Sequence, residues 1–188
     1  MRKLAGVFGD AAHSRRVTRL ALSLFDQLAE PLGLGEPDRT LLETAALLHD
    51  IGWRCGQEGH HKESMRMILA EADLGLSAEN QLVVANTARY HRRALPSLRH
   101  AKFRQLTEPD RRRVKTLGGL LRLADGLDCR HLGRVRQVKV TLTDRRLVVH
   151  CRAVGEAREE DAAARNKRDL LEDAIRRNVA LDWNWISG

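Results

Sequence analysis

Up to about His131 the apolar residues of this chain recur every three to four positions, the period of helices that bury one face. Val17, Leu20, Ala21, Leu24, Phe25 and Leu28 form the first stripe, predicting a helix capped by Asp10 or Ser14 that runs to about Glu30, with His13 near its buried face. The loop Pro31–Pro37 separates it from a second helix, started by Asp38 or Thr40 and carrying Leu41, Leu42, Ala45, Ala46, Leu48 and Ile51. That helix ends on His49 and Asp50, and Gly52 follows where a left-handed terminating residue is expected. The glycine-bearing loop Gly52–Gly59 leads to His60 and His61, which open a third helix. Ser77 is the expected cap of a fourth, Ala78–His91. Leu95–Leu106 reads as irregular, and Thr107, with Pro109 just inside, starts a long fifth helix reaching about His131, with Asp125 on its inner face.

The period then changes to two. Val138, Val140 and Leu142, and after Asp144-Arg-Arg also Leu147, Val149 and Cys151, alternate with other residues as in a β-hairpin. A last helix is predicted over roughly Ala157–Asn178, with acids at its start and Arg176 and Arg177 at its end, matching the helix dipole. The terminal Leu181–Ile186 is expected to pack on the body or on a second subunit, a homodimer in the latter case. The fold class expected is mainly α, a helical bundle over residues 1–133 followed by a small C-terminal β-hairpin plus helix over 134–188.

Composition narrows the function classes. With 188 residues, 43% hydrophobic and only 4% aromatic, the chain has enough apolar material for one helical core. Cys55, Cys129 and Cys151 are odd in number and widely spaced, which argues against a disulfide framework or thiolate zinc site and for a reducing compartment. The start of the chain lacks a convincing signal peptide and no run reaches membrane-span length, so the cytoplasm is the expected location. The net charge of +8 is unevenly placed: Arg89–Lys115 holds ten Lys/Arg against Glu108 and Asp110. A phosphate-rich anionic partner, such as a nucleotide, polyphosphate or nucleic acid, would explain the excess; ordinary surface solvation is the alternative.

Against that background His13, His49-Asp50, His60/His61, His91 and Asp125 stand out. Each taken singly reads as a helix-terminal hydrogen-bonding group. Together they come from five helices and fall where a bundle interior collects side chains into a metal site. Two cations a few ångströms apart need a bridging carboxylate, and Asp50 is the natural bridge. One ion would take His13, His49, Asp50 and Asp125; the other would take Asp50, His60 or His61, and His91. Mixed imidazole and carboxylate donors suit two divalent transition-metal ions (Mn, Fe, Co, Ni or Zn, with Mn or Fe favoured) better than Mg or Ca. Arg54, Arg89, Arg92, Arg93 and Lys115 are candidates to hold substrate phosphates, arginine doing so bidentately.

The order H…HD…H…H…D resembles the HD superfamily of metal-dependent phosphohydrolases. More narrowly, Gly59–Ser64 (GHHKES), Ala88–Pro96 (ARYHRRALP) and Leu120–Asp128 (LLRLADGLD) are similar to the C-terminal HD domain of exopolyphosphatase and guanosine-pentaphosphate phosphohydrolase proteins. The likeness covers about residues 10–188. It implies metal ligation by His13, His49, Asp50, His91 and Asp125, with His49 and Asp50 at the catalytic centre. The fourth histidine falls on His60 or His61, and counting back four positions from Ser64 favours His60. Exopolyphosphatases also carry actin-like ATPase-type domains that cleave the polyphosphate chain. This sequence has none, so that activity does not transfer, and the expectation is a module that does hydrolysis itself. The family's HD module is often degenerate, whereas here every ligand position is filled. The expected function is hydrolysis of a nucleotide, alarmone or polyphosphate through a dinuclear site. The rivals are a non-catalytic polyanion-binding module and a di-iron HD-type oxygenase.

Overall fold

The computed structural model describes residues 11–56, 58–92 and 94–186, all but Arg54 with their side chains. Helix α1 (Ala11–Leu32) packs on α2 (Glu36–Leu48); a 3-10 turn (Ile51–Cys55) leads to α3 (His60–Ala70) and α4 (Ala78–Arg89). A short α5 (Ala101–Arg104) precedes α6 (Glu108–Gly126). Then come β1 (Val135–Leu142), β2 (Arg146–Val154), α7 (Arg158–Lys167), α8 (Asp169–Ile175) and β3 (Asn178–Ile186).

The bundle is built around α6, which touches α1, α2, α4, α7 and α8. The reason lies in its composition. Every residue from Leu117 to Asp128 is buried, so the second half of this helix has no solvent face and must be surrounded. Its start is fixed as expected, the Thr107 hydroxyl accepting from the Asp110 amide. Ser77 caps α4 in the same way, through the Asn80 amide. Helix α2 begins earlier than Asp38 or Thr40. Gly35 is its cap residue and Asp38 reaches back to accept from the Gly35 amide, while Pro37 in the first turn gives up an N–H that had no partner in any case. Asp10, the alternative cap of α1, lies outside the described residues. Of the stretch expected to be irregular, Ala101–Arg104 is helical, and α6 ends at Gly126, five residues short of His131.

The C-terminal part departs further from expectation. The hairpin is present, β1 pairing antiparallel with β2 with a register shift at Val135/Gln137. A third strand joins it: β3 runs parallel to β2 from Arg146↔Asn178 to Val154↔Ile186, in the order β1-β2-β3. The terminal segment therefore packs on the body of its own chain as a strand. The expected single helix is two, broken at Arg168 and closed by Arg176 in the left-handed region (φ 54°). A parallel neighbour requires a crossover, and α7–α8 supply it. The sheet lies on α1 through β1, and the crossover helices lie on α6. No helix of the described residues is long and apolar enough to cross a membrane.

Candidate metal centre

His13 comes from the first turn of α1, His49 caps the C-terminal end of α2, and Asp50 follows in the turn. His60 opens α3, His91 follows α4, and Asp125 lies in the last turn of α6. All six are buried. Gly52 makes the approach of α3 to this turn possible, though not by the backbone conformation expected of it. Its φ is not positive; instead, a Cβ there would lie 2.3 Å from the His60 carbonyl oxygen and 2.5 Å from the Ser64 amide nitrogen. Only a residue without a side chain lets His60 come this close, and the Gly52 amide donates to Ser64 Oγ at 2.9 Å to fix the contact.

The six side chains form two trios, His13/His49/Asp125 and Asp50/His60/His91, and within each trio the donor atoms lie within 4.8 Å of one another. Asp50 faces both. Its Oδ1 lies 3.3 Å from His60 Nε2 and 3.4 Å from His91 Nε2, while Oδ2 lies 3.5 Å from His49 Nε2 and 3.9 Å from His13 Nε2. Asp125 Oδ1 is 3.3 Å from His13 Nε2 and 3.9 Å from His49 Nε2.

The rings are oriented from behind. Nδ1 of His49 lies 2.7 Å from the Ala46 carbonyl oxygen and Nδ1 of His91 lies 2.7 Å from that of Ala88. A carbonyl only accepts, so each Nδ1 carries a proton and each ring directs Nε2 toward the carboxylates. His13 Nδ1 donates to Asp128 Oδ2 at 2.8 Å. Asp128 also takes Arg16 Nε at 2.9 Å and the Gly133 amide at 2.8 Å, and the His131 ring stacks on that of His13 at 3.7 Å.

Lone pairs converging on carboxylate oxygens are unfavourable without a cation among them. Among the described residues, His49 Nε2 and Asp50 Oδ1 are buried with no hydrogen-bond partner, and the Nε2 atoms of His60 and His91 are 3.3 Å apart. The donor set fits divalent transition ions: imidazole nitrogen and carboxylate oxygen, with one carboxylate shared. The electrostatics agree. Burial opposes the ionisation of Asp50, but His49, His60 and His91 outweigh it and hold the carboxyl below the usual range. Burial is outweighed at Asp125 too, by Lys167 and then His13. Burial likewise disfavours a charged His13, yet Asp125, Asp128 and Asp50 together raise it to about 9. A field that holds a proton so firmly on His13 is one that would hold a metal cation. His91 is pushed down by burial to about 3, against the pull of Asp50, and stays neutral.

His60 belongs to a trio and His61 does not. The His61 ring stands edge-on to that of His91, with centroids 6.5 Å apart, and lines a cleft of about 450 Å³ with Lys62, Arg89, Arg92, His100 and Glu58. Arg89 lies over the Tyr90 ring and beside Met65 Sδ. Lys115 lies ten residues, roughly 15 Å of helix, before Asp125, and its ammonium is paired with Asp173 at 2.9 Å. The Arg54 side chain and Arg93 lie outside the described residues. Asp128, Arg16, His131 and Lys167 were not singled out from the sequence. Asp128 was within reach of it, as the last residue of LLRLADGLD and three positions, one helical turn, from Asp125.

Residues 2–172 match the family model described as Ppx/GppA phosphatase, domain III, and the match spans most of the chain. The whole constellation falls inside it, and this chain belongs to that family.

Proposed function

We propose that this protein is an HD-type phosphohydrolase with two divalent metal ions, acting on a nucleotide, alarmone or polyphosphate. One observation carries the reading: the two oxygens of a single buried carboxylate, Asp50, each face a different pair of imidazole nitrogens. A mononuclear or purely structural site has no use for such a division. His13, His49, Asp125 and Asp50 Oδ2 would hold one ion, and His60, His91 and Asp50 Oδ1 the other. Mn or Fe is favoured. Ions held there would supply a deprotonated water for attack on phosphorus and a Lewis acid for the phosphoryl oxygens.

The protein's own share is orientation and charge. Ala46, Ala88 and Asp128 hold the rings so that their Nε2 atoms face inward. Arg89, Arg92 and Lys62 make the adjoining cleft cationic, suited to the phosphates of a substrate that extends past the reacting group. His61, on the wall of that cleft, would meet substrate. Membership of a phosphatase family supports the reaction class. The cationic cleft taken alone also favours a second reading, a module that binds polyanions without turning them over.

Metal analysis followed by a phosphate-release screen over nucleotides, alarmones and polyphosphates separates the two. Release that depends on Mn or Fe and is lost in Asp50→Ala is the expected result. Tight, salt-sensitive polyanion binding without turnover would establish the binding module instead. Oxygen uptake by the iron-loaded protein would point to an oxygenase.

A further inference from the structure

Lys167 closes α7, more than forty residues beyond the last metal-ligand candidate, yet its ammonium contacts Asp125 Oδ2. The placement is enforced. A Cβ on Gly126 would lie 2.9 Å from Ala164 Cα, and one on Gly119 would lie 2.7 Å from Leu171 Cα, so α7 and α8 rest directly on the backbone of α6. The two glycines are seven residues apart, two turns, and so on one side of the helix. Between them Arg122 takes Asp169 in a two-pronged pair, Nε to Oδ1 at 2.8 Å and Nη2 to Oδ2 at 3.1 Å. Lys167 is thus held three residues from one anchor and two from the other.

An ordinary ion pair that neutralises Asp125 would need no such construction, and the charges do not close on that account. Asp125 Oδ1 faces His13 and His49, where an ion would sit, and Oδ2 faces the ammonium. Among the described residues, two divalent ions against Asp50 and Asp125 leave the centre positive before Lys167 is added, the third buried carboxylate there, Asp128, being offset by Arg16. A cationic lysine beside such a centre is stabilised when an anion joins it. Its ammonium has three donors, of which Asp125 uses one, and its side chain keeps 21% exposure at the edge of the cluster.

We propose that Lys167 is a phosphate-contacting residue of this centre, holding a phosphoryl oxygen of the substrate on the side formed by His13, His49 and Asp125. The inference rests on the phosphohydrolase reading and adds to it: the C-terminal crossover helices complete the site. The test is calorimetric titration of inorganic phosphate into Mn-loaded wild type, Lys167→Ala and Lys167→Arg, with metal content and melting temperature measured on the same samples. Lys167→Ala should keep its metal and weaken phosphate binding by roughly ten- to a hundredfold, the worth of one charge-assisted contact. Lys167→Arg should recover most of it. Wild-type phosphate affinity in a metal-replete Lys167→Ala would overturn the proposal, and so would loss of metal, which would make Lys167 a positioning partner of Asp125. If metal-loaded wild type itself neither bound phosphate nor hydrolysed any phosphate compound, the phosphohydrolase reading would fall and this inference with it.

Discussion

At the scale of single residues the centre turns on which histidine nitrogen faces which oxygen. His60 puts Nε2 at 3.3 Å from Asp50 Oδ1, whereas His61, one position on, is turned by the helix toward the basic cleft. His60→Ala should therefore lose one ion by elemental analysis. His61→Ala should keep both and weaken turnover through the substrate; metal loss in His61→Ala with retention in His60→Ala would reverse the assignment. Trp53 offers a direct reporter, its indole 5.1 Å from the His60 ring, centroid to centroid. Metal titration should change the tryptophan emission of the wild type and leave that of Trp53→Phe almost unchanged, because Trp183 and Trp185 lie on β3, which supplies no member of either trio. The metal-ligand candidates were legible in the sequence because each sits at a helix end or on an apolar face, where the helical period announces burial. The supporting residues were not. Asp128 and His131 lie in the turn after α6, where periodicity says nothing about direction, and Lys167 reaches the centre only because two distant helices are in contact.

Among elements, the tight junction is that between the 3-10 turn and α3. With the His60 carbonyl 2.3 Å from where a Cβ would stand, Gly52→Ala must push α3 away from Asp50. Overpacking of this kind costs about 1–3 kcal/mol, and here it also opens the Asp50/His60/His91 trio. A lowered melting temperature together with loss of one ion is expected; a stable variant with full metal content would show that the junction has slack. The caps were legible: Ser77 and Thr107 are polar residues directly before helical stripes, and Ser77→Ala should cost about 1 kcal/mol in denaturant unfolding. Strand β3 carried a readable signal in Val179, Leu181, Trp183 and Trp185, which alternate with other residues as the hairpin strands do. The helical pattern, which extends to about Asn178, obscures it. Neither the break at Arg168 nor the left-handed Arg176 is marked by proline or glycine, and what bends the chain there is the crossover between parallel strands.

On the scale of the whole molecule, elements from both ends of the chain enclose one buried set of charges, α1 bringing His13 and α7 bringing Lys167. Metal binding should accordingly be coupled to global stability. Ions present at a thousand times their dissociation constant stabilise by about 4 kcal/mol, so chelation should lower the melting temperature by several degrees and readdition should restore it. The cationic cleft acts at longer range. Arg89→Ala and Arg92→Ala should leave metal content intact and lower kcat/KM, by roughly tenfold or more where the guanidinium meets a phosphate, with the loss shrinking as salt rises if the contact is exposed. Polyanion binding that collapsed while hydrolysis persisted would make the cleft a docking surface. All of this depends on a bridging role for Asp50, the one carboxylate among the described residues within reach of both histidine pairs. The most direct measurement is metal stoichiometry by inductively coupled plasma mass spectrometry after Mn or Fe loading, on wild type, His49→Ala and Asp50→Ala. Wild-type chains should carry up to two ions, His49→Ala should lose at least one, and Asp50→Ala should show the larger loss; full occupancy in the Asp50 variant would rule the bridge out.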